Sequence, residues 1–164
     1  MREYRLELWL PIVIVVLDQI TKAMVRAMLP LHASVTIIPG LMDFTHVLNT
    51  GAAFGILNTS DFAFKTGLIS LIAVAALAGV AIYAAGLPRD QIMARTGLAL
   101  IIGGAAGNLI DRIALGYVTD FVDVYWQGWH FWAFNVADAA ITVGVAMMIL
   151  DMLGAGQHRV SRTV

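Results

Sequence analysis

Four long apolar stretches constrain this chain more than anything else in it. They run near 8–28, 64–85, 92–113 and 132–153. About 20 helical residues cross the roughly 30 Å of bilayer hydrocarbon. In that solvent every backbone polar group must be satisfied internally, so helices are the natural spanning form. The sequence therefore predicts an all-α integral membrane protein: a four-helix transmembrane bundle in one membrane-embedded domain, 1–164. The first stretch could be read as a cleavable signal sequence, since Arg2 and Arg5 precede it. It has no clean small-residue cleavage site, and Asp18, Lys22 and Arg26 sit within its second half.

Composition narrows the chemistry. Only 13% of residues are charged, and the formal net charge is -1. That balance gives no basic surface for a polyanion, so no nucleic-acid partner is expected. The absence of cysteine removes disulfides, thiol catalysis and thiolate metal sites. Four scattered histidines, His32, His46, His130 and His158, form no H-E-x-x-H pattern for a helical zinc site. No metal and no cofactor are expected.

Orientation follows from the basic residues. Four spans put both termini on one side. Arg2, Arg5, Arg89, Arg95, Arg159 and Arg162 then share that side, which is therefore cytoplasmic. The short connection at 86–91 lies there too. The two longer connections lie outside. In the first, 29–63, the pieces 35–38 and 44–48 are β-prone. An open hairpin cannot rest in hydrocarbon with its edges unpaired, so a small β-rich piece belongs at the outer interface. The second, 114–131, carries Tyr117, Tyr125, Trp126 and Trp129, an aromatic belt suited to the headgroup level. It is expected to be an interfacial loop, part of it lying flat as an amphipathic helix.

Against this background the polar residues stand out. Asp18 and Lys22 are four apart on one helical face. They form either an intrahelical ion pair or a charge that orients the site. Asn49-Thr50-Gly51-Ala52-Ala53-Phe54-Gly55 reads equally as a tight turn or as a small-residue surface open to an extended peptide. Gly103 and Gly107 make a G-x-x-x-G face for close helix contact. Asn108, Asp111 and Arg112 follow on one face, as a polar helix end or as a rigid support whose guanidinium fork holds carboxylates. Asp120 falls in the second outer connection, with Asp123 in wetter surroundings. Asn135 can cap the last helix, leaving Asp138 in its positive first turn.

Each of these has an ordinary explanation taken alone. Together they come from five segments and gather near one membrane face. Intramembrane carboxylates are costly enough, roughly 2.5–3.5 kcal/mol on insertion scales, to point to function. Two close carboxylates share a proton, so one can act as base toward water and the other as acid toward a scissile carbonyl. Asp120 and Asp138 are the expected pair. A proton-coupled transporter would also use such carboxylates, but near the midplane. A non-enzymatic scaffold would tolerate their replacement by asparagine.

The order of motifs resembles the bacterial lipoprotein signal peptidases (signal peptidase II). The resemblance rests on Asp18-Gln19-Ile20-Thr21-Lys22, the Asn49–Gly55 run and Gly103-Gly104-Ala105-Ala106-Gly107-Asn108-Leu109-Ile110-Asp111-Arg112. Val118-Thr119-Asp120-Phe121 and Phe134-Asn135-Val136-Ala137-Asp138 complete it. It implies an aspartic endopeptidase of the bacterial cytoplasmic (inner) membrane, with its active site near the outer, periplasmic face. Asp120 and Asp138 would be catalytic. Asp18, Lys22, Asn49, Gly51, Asn108, Asp111, Arg112 and Asn135 would bind substrate or support the pair. The substrates would be prolipoproteins carrying a diacylglyceryl group on the cysteine that follows the cleavage point. Membrane lipid would surround the enzyme, globomycin-type cyclic peptides would inhibit it, and nothing requires more than a monomer.

Overall fold

A computed structural model describes residues 6–51 and 64–154. It contains α1 (Leu6–Met28), β1 (Ser34–Ile38), β2 (Met42–Asn49), α2 (Lys65–Gly86), α3 (Ile92–Leu115), β3 (Val118–Trp126), β4 (Trp129–His130) and α4 (Val136–Met152). Helix α3 is the central element and packs against α1, α2 and α4. Among the described residues, α2 and α3 are long and apolar enough to cross a membrane, with mean hydropathy 2.4 and 1.5.

The distribution of polarity is the reverse of a soluble core. Ile12 and Val16 on α1, Leu71 and Ile82 on α2, Ile113 on α3 and Ile149 on α4 point outward. The largest fully buried side chains include Lys22, Asn135, Thr119, Asp18, Asp111 and Asp120. Water solvates polar groups and expels apolar ones, so this arrangement suits a hydrocarbon surround.

Glycine lets the helices approach closely enough to enclose those groups. A Cβ on Gly107 would stand 2.6 Å from Asp18 Oδ2, and one on Gly103 would stand 2.9 Å from Pro11 Cα. The G-x-x-x-G face is thus the α1–α3 contact. On the other side of α3, a Cβ on Gly97 would lie 2.8 Å from the Gly144 carbonyl of α4.

The four strands form one antiparallel sheet in the order β1-β2-β3-β4. The first outer connection carries its β pieces close to the expected positions. The second departs from expectation. Residues 118–130 are not a loop or a flat-lying helix. They form the β3–β4 hairpin, turned at Gln127 and Gly128 with φ 51° and 82°. Positive φ at both central residues marks a tight two-residue hairpin turn. The β-branched and aromatic run from Val118 to Trp126 favours a strand. Helix α4 begins at Val136, directly after the Asn135 cap expected from the sequence and inside the apolar stretch that starts at 132. Phe134 is held extended by bonds with Val122, whose N–H donates to Phe134 O at 2.8 Å.

Candidate active site

Asn135 caps α4 and organises the site. Its Oδ1 accepts from the Asp138 N–H at 3.0 Å, and Asp138 Oδ2 accepts from the Asn135 N–H at 3.3 Å. This reciprocal capping box fixes the Asp138 side chain at the helix start. The Asn135 amide Nδ2 donates to Asp120 Oδ1 at 2.6 Å. One side chain therefore holds both aspartates, one on β3 and one on α4. The capping explanation for Asp138 is correct and compatible with a chemical role.

Two further amides complete the hold. Asn49 Nδ2, at the end of β2, donates to Asp120 Oδ2 at 3.0 Å. The register pairs Val47 with Asp120 and Asn49 with Val118, which carries Asn49 alongside. Asn108 Nδ2 donates to Asp138 Oδ1 at 2.8 Å. Asp120 is buried, and Asp138 half-buried. Burial, then the charge of Asp138, push the Asp120 carboxyl up to about 7, against the amide donors and Lys22. Both aspartates line a cavity of about 790 Å³ with Asn49, Asn108 and Arg112, and its apolar walls come mainly from α2, α4 and the aromatic segment 131–134 that leads into α4.

Behind the pair lies a buried ionic cluster. Lys22 Nζ is 2.8 Å from Asp18 Oδ2 and 3.3 Å from Asp111 Oδ2, with all three side chains almost fully buried. It also donates to Asn108 Oδ1 at 2.9 Å. That contact fixes which way the Asn108 amide points, so its NH₂ faces Asp138. Asp18 Oδ1 accepts from the Ala137 N–H at 3.0 Å, serving the otherwise unpaired first turn of α4. No group of three or more His, Asp or Glu among the described residues is arranged to hold a metal ion.

The profile of the family described as "Signal peptidase (SPase) II" matches residues 10–154. The chain belongs to the signal peptidase II family. Its sequence is 47% identical over 138 residues to a lipoprotein signal peptidase of Geobacter sulfurreducens, covering 84% of this chain and 85% of that one. It is 43% identical over 146 residues to one from Pseudomonas aeruginosa, covering 88% and 86%. The fold is similar to a solved bacterial membrane enzyme at 28% identity, TM-score 0.80, covering 96% of this chain and 93% of that one. Membership of the signal peptidase II family makes the chain a peptidase.

Most site residues expected from sequence converge here, but the role of Arg112 changes. Arg112 does not clamp a carboxylate. Its Nη2 donates to the Gly51 carbonyl at 3.1 Å and its Nη1 to the Asn108 carbonyl at 3.4 Å. Gly51 in turn donates its N–H to Asn49 Oδ1 at 2.9 Å, so Arg112 steadies the turn that carries Asn49. Asp111 pairs with Lys22 and turns away from Arg112, because consecutive helical residues face different ways. Residues 52–55 of the glycine-alanine run lie outside the described residues.

Three polar residues were not singled out from sequence. Gln19 Nε2 donates to Asp111 Oδ1 at 3.1 Å and to the Gly107 carbonyl at 3.1 Å. Arg26 Nη1 donates to Thr119 Oγ1 at 3.1 Å, and Thr119 is fully buried. Gln19 lies between Asp18 and Lys22, and Thr119 precedes Asp120, so adjacency was the available signal.

Proposed function

We propose that this chain is an aspartic endopeptidase that removes the signal peptide from prolipoproteins, cleaving before a diacylglyceryl-modified cysteine. The observation that carries this reading is the juxtaposition of Asp120 and Asp138 from separate elements, lining one cavity and joined through Asn135. The names of the Geobacter and Pseudomonas relatives support the substrate class.

Asp138 stands in the first turn of α4, where the helix dipole favours negative charge. It takes a proton from a water held between the carboxyls. That water's oxygen attacks the scissile carbonyl carbon while Asp120 donates its proton to the carbonyl oxygen. In the resulting diol, one hydroxyl returns its proton to Asp120 as the carbonyl re-forms. The carbon–nitrogen bond breaks, and Asp138 passes its proton to the leaving amine. The pair thus ends as it began, with one proton shared between two carboxyls that cannot readily both ionise. Amide donors from Asn49, Asn108 and Asn135 hold both groups in place, and holding reacting groups in register lowers the barrier substantially.

The substrate shares the enzyme's solvent. Its acyl chains gain about 0.8 kcal/mol per buried CH₂, which confines the two to one bilayer and lets them meet by lateral diffusion. The apolar walls between α2 and α4 suit the signal helix. We further take all four helices to span the inner membrane as one domain, with both termini cytoplasmic and the sheet outside. The enzyme acts as a monomer, and globomycin-type cyclic peptides compete for the cavity.

A gel-shift cleavage assay in detergent tests the reading, using a diacylglyceryl-modified prolipoprotein. Asp120→Asn and Asp138→Asn, each checked by thermal melting, are expected to lose roughly 10²–10⁴-fold in rate. The unmodified-cysteine substrate is expected to stay uncut. Cleavage at the wild-type rate by either variant would remove that aspartate from the pair.

A further inference from the structure

Thr119 precedes Asp120 in β3 at a place where the strand has no neighbour on its outer side, since β4 pairs only with Tyr125 and Trp126. A buried strand edge must satisfy its outward N–H and C=O by other means. Here side chains do so. The Thr119 N–H donates to Asp111 Oδ2 at 3.2 Å, and its carbonyl accepts from Asn135 Nδ2 at 3.4 Å. Its hydroxyl oxygen accepts from Arg26 Nη1 at 3.1 Å. The residue is fully buried, so none of these partners is replaced by bulk water.

The three bonds come from three helices or their caps. Asp111 is on α3, Asn135 is the cap of α4, and Arg26 is in the last turn of α1. Asp111 and Asn135 are already committed to the ionic cluster and the aspartate pair. The Arg26–Thr119 bond is different, because it connects an otherwise peripheral cation to the strand. Arg26 also lies 4.0 Å from Asp111 Oδ1, and its side chain is about a quarter exposed, at 27%. Arg26 thus joins the last turn of α1 to the residue beside Asp120.

We infer that Thr119 is a positioning residue for Asp120, and that Arg26 acts through its hydroxyl to lock β3 against α1. This rests on Asp120 serving in the proposed pair. Replacing Thr119 by valine keeps the branched shape and removes the acceptor, so Arg26 no longer ties α1 to the strand. The strand can then shift relative to Asp138, and small misplacements of reacting groups are expensive in rate.

The test is a double-mutant cycle on the cleavage assay, with melting temperatures measured in parallel. Thr119→Val and Arg26→Ala are each expected to lower kcat roughly ten- to a hundredfold with KM little changed. The double variant is expected to lose no more than either single one, since both remove the same bond. Thr119→Ser, which restores the hydroxyl, is expected to recover most of kcat. Should Thr119→Val melt too low to assay, Arg26→Ala and Thr119→Ser decide the matter alone. Wild-type kcat in Arg26→Ala, additive losses, or a serine variant as impaired as valine would overturn the inference. An inactive Asp120→Asn beside a fully active Thr119→Val would reject this inference and leave the aspartate pair standing. An active Asp120→Asn would reject the pair itself.

Discussion

Burial and the charge of Asp138 push the Asp120 carboxyl up to about 7 from an ordinary 3.8, and two consequences follow for its pH behaviour. Below about 7 the group holds a proton, and as the proposed acid it needs one. Cleavage is therefore expected to fall as pH rises through that value, read as the alkaline limb of kcat/KM between about pH 5.5 and 8.5. A profile flat across this window would remove Asp120 as the acid. Stability runs in the same direction. Between the unfolded and folded values the folded state binds the extra proton, so this group's contribution declines as pH rises and is lost above about 7. Asp120→Asn should flatten that part of the melting profile. The sequence made some of this legible and not the rest. Asp18 and Lys22 could be paired from their spacing, because four residues return to one helical face. That Lys22 also binds Asp111 and aims the Asn108 amide depends on how α1 and α3 are set against each other, which spacing within one helix does not encode.

Contact between α3 and α4 determines where Asp138 stands. A Cβ added to Gly104 would run into the carbonyl of Ala137, the residue before Asp138. A Cβ added to Gly97 would meet the carbonyl of Gly144, at 2.8 Å, more than a helical turn further from the aspartates. Both changes overpack a tight contact, which typically destabilises by about 1–3 kcal/mol. Gly104→Ala is expected to lower kcat at least tenfold more than Gly97→Ala at comparable loss of melting temperature. Equal effects on kcat would mean that α4 shifts as a rigid rod and that the local contact is unimportant. At this scale the four helices were readable from apolar length. Strand β3 was obscured because Asp120 and Asp123 interrupt its apolar run, although Val118, Val122, Val124 and Tyr125 keep the β-prone composition. Apolar length alone does not show the start of α4, although the Asn135 cap was legible in the sequence. Trp132, Ala133 and Phe134 are as apolar as the helix they precede; the Asn135 cap marks the boundary, and the Phe134–Val122 bridge shows that the residues before it are extended.

Among the described residues the helices present apolar side chains outward and the bundle encloses Asp18, Lys22, Asp111 and Asp120, and that pattern carries the proposed membrane topology further than helix length does. Helix α4 has 17 residues, about 25 Å at 1.5 Å per residue, somewhat less than the roughly 30 Å of hydrocarbon. Exposed Trp132 before it and Leu153 after it extend the apolar band past both ends, and short spans are accommodated by local thinning of the bilayer at modest cost. The absence of cysteine gives a clean background for testing this. A single cysteine at Thr36, exposed on β1, is expected to react with a membrane-impermeant maleimide in intact spheroplasts. One at Asp90, in the turn between α2 and α3, is expected to react only after permeabilisation, as is a cysteine appended after Val164. Labelling of the first two sites from the same side would mean that α2 does not cross. A C-terminal cysteine labelled in intact cells would leave α4 lying against the bundle without spanning. The aspartate pair would then have to be reached by substrate from the aqueous side, and the lateral entry between α2 and α4 would have to be abandoned.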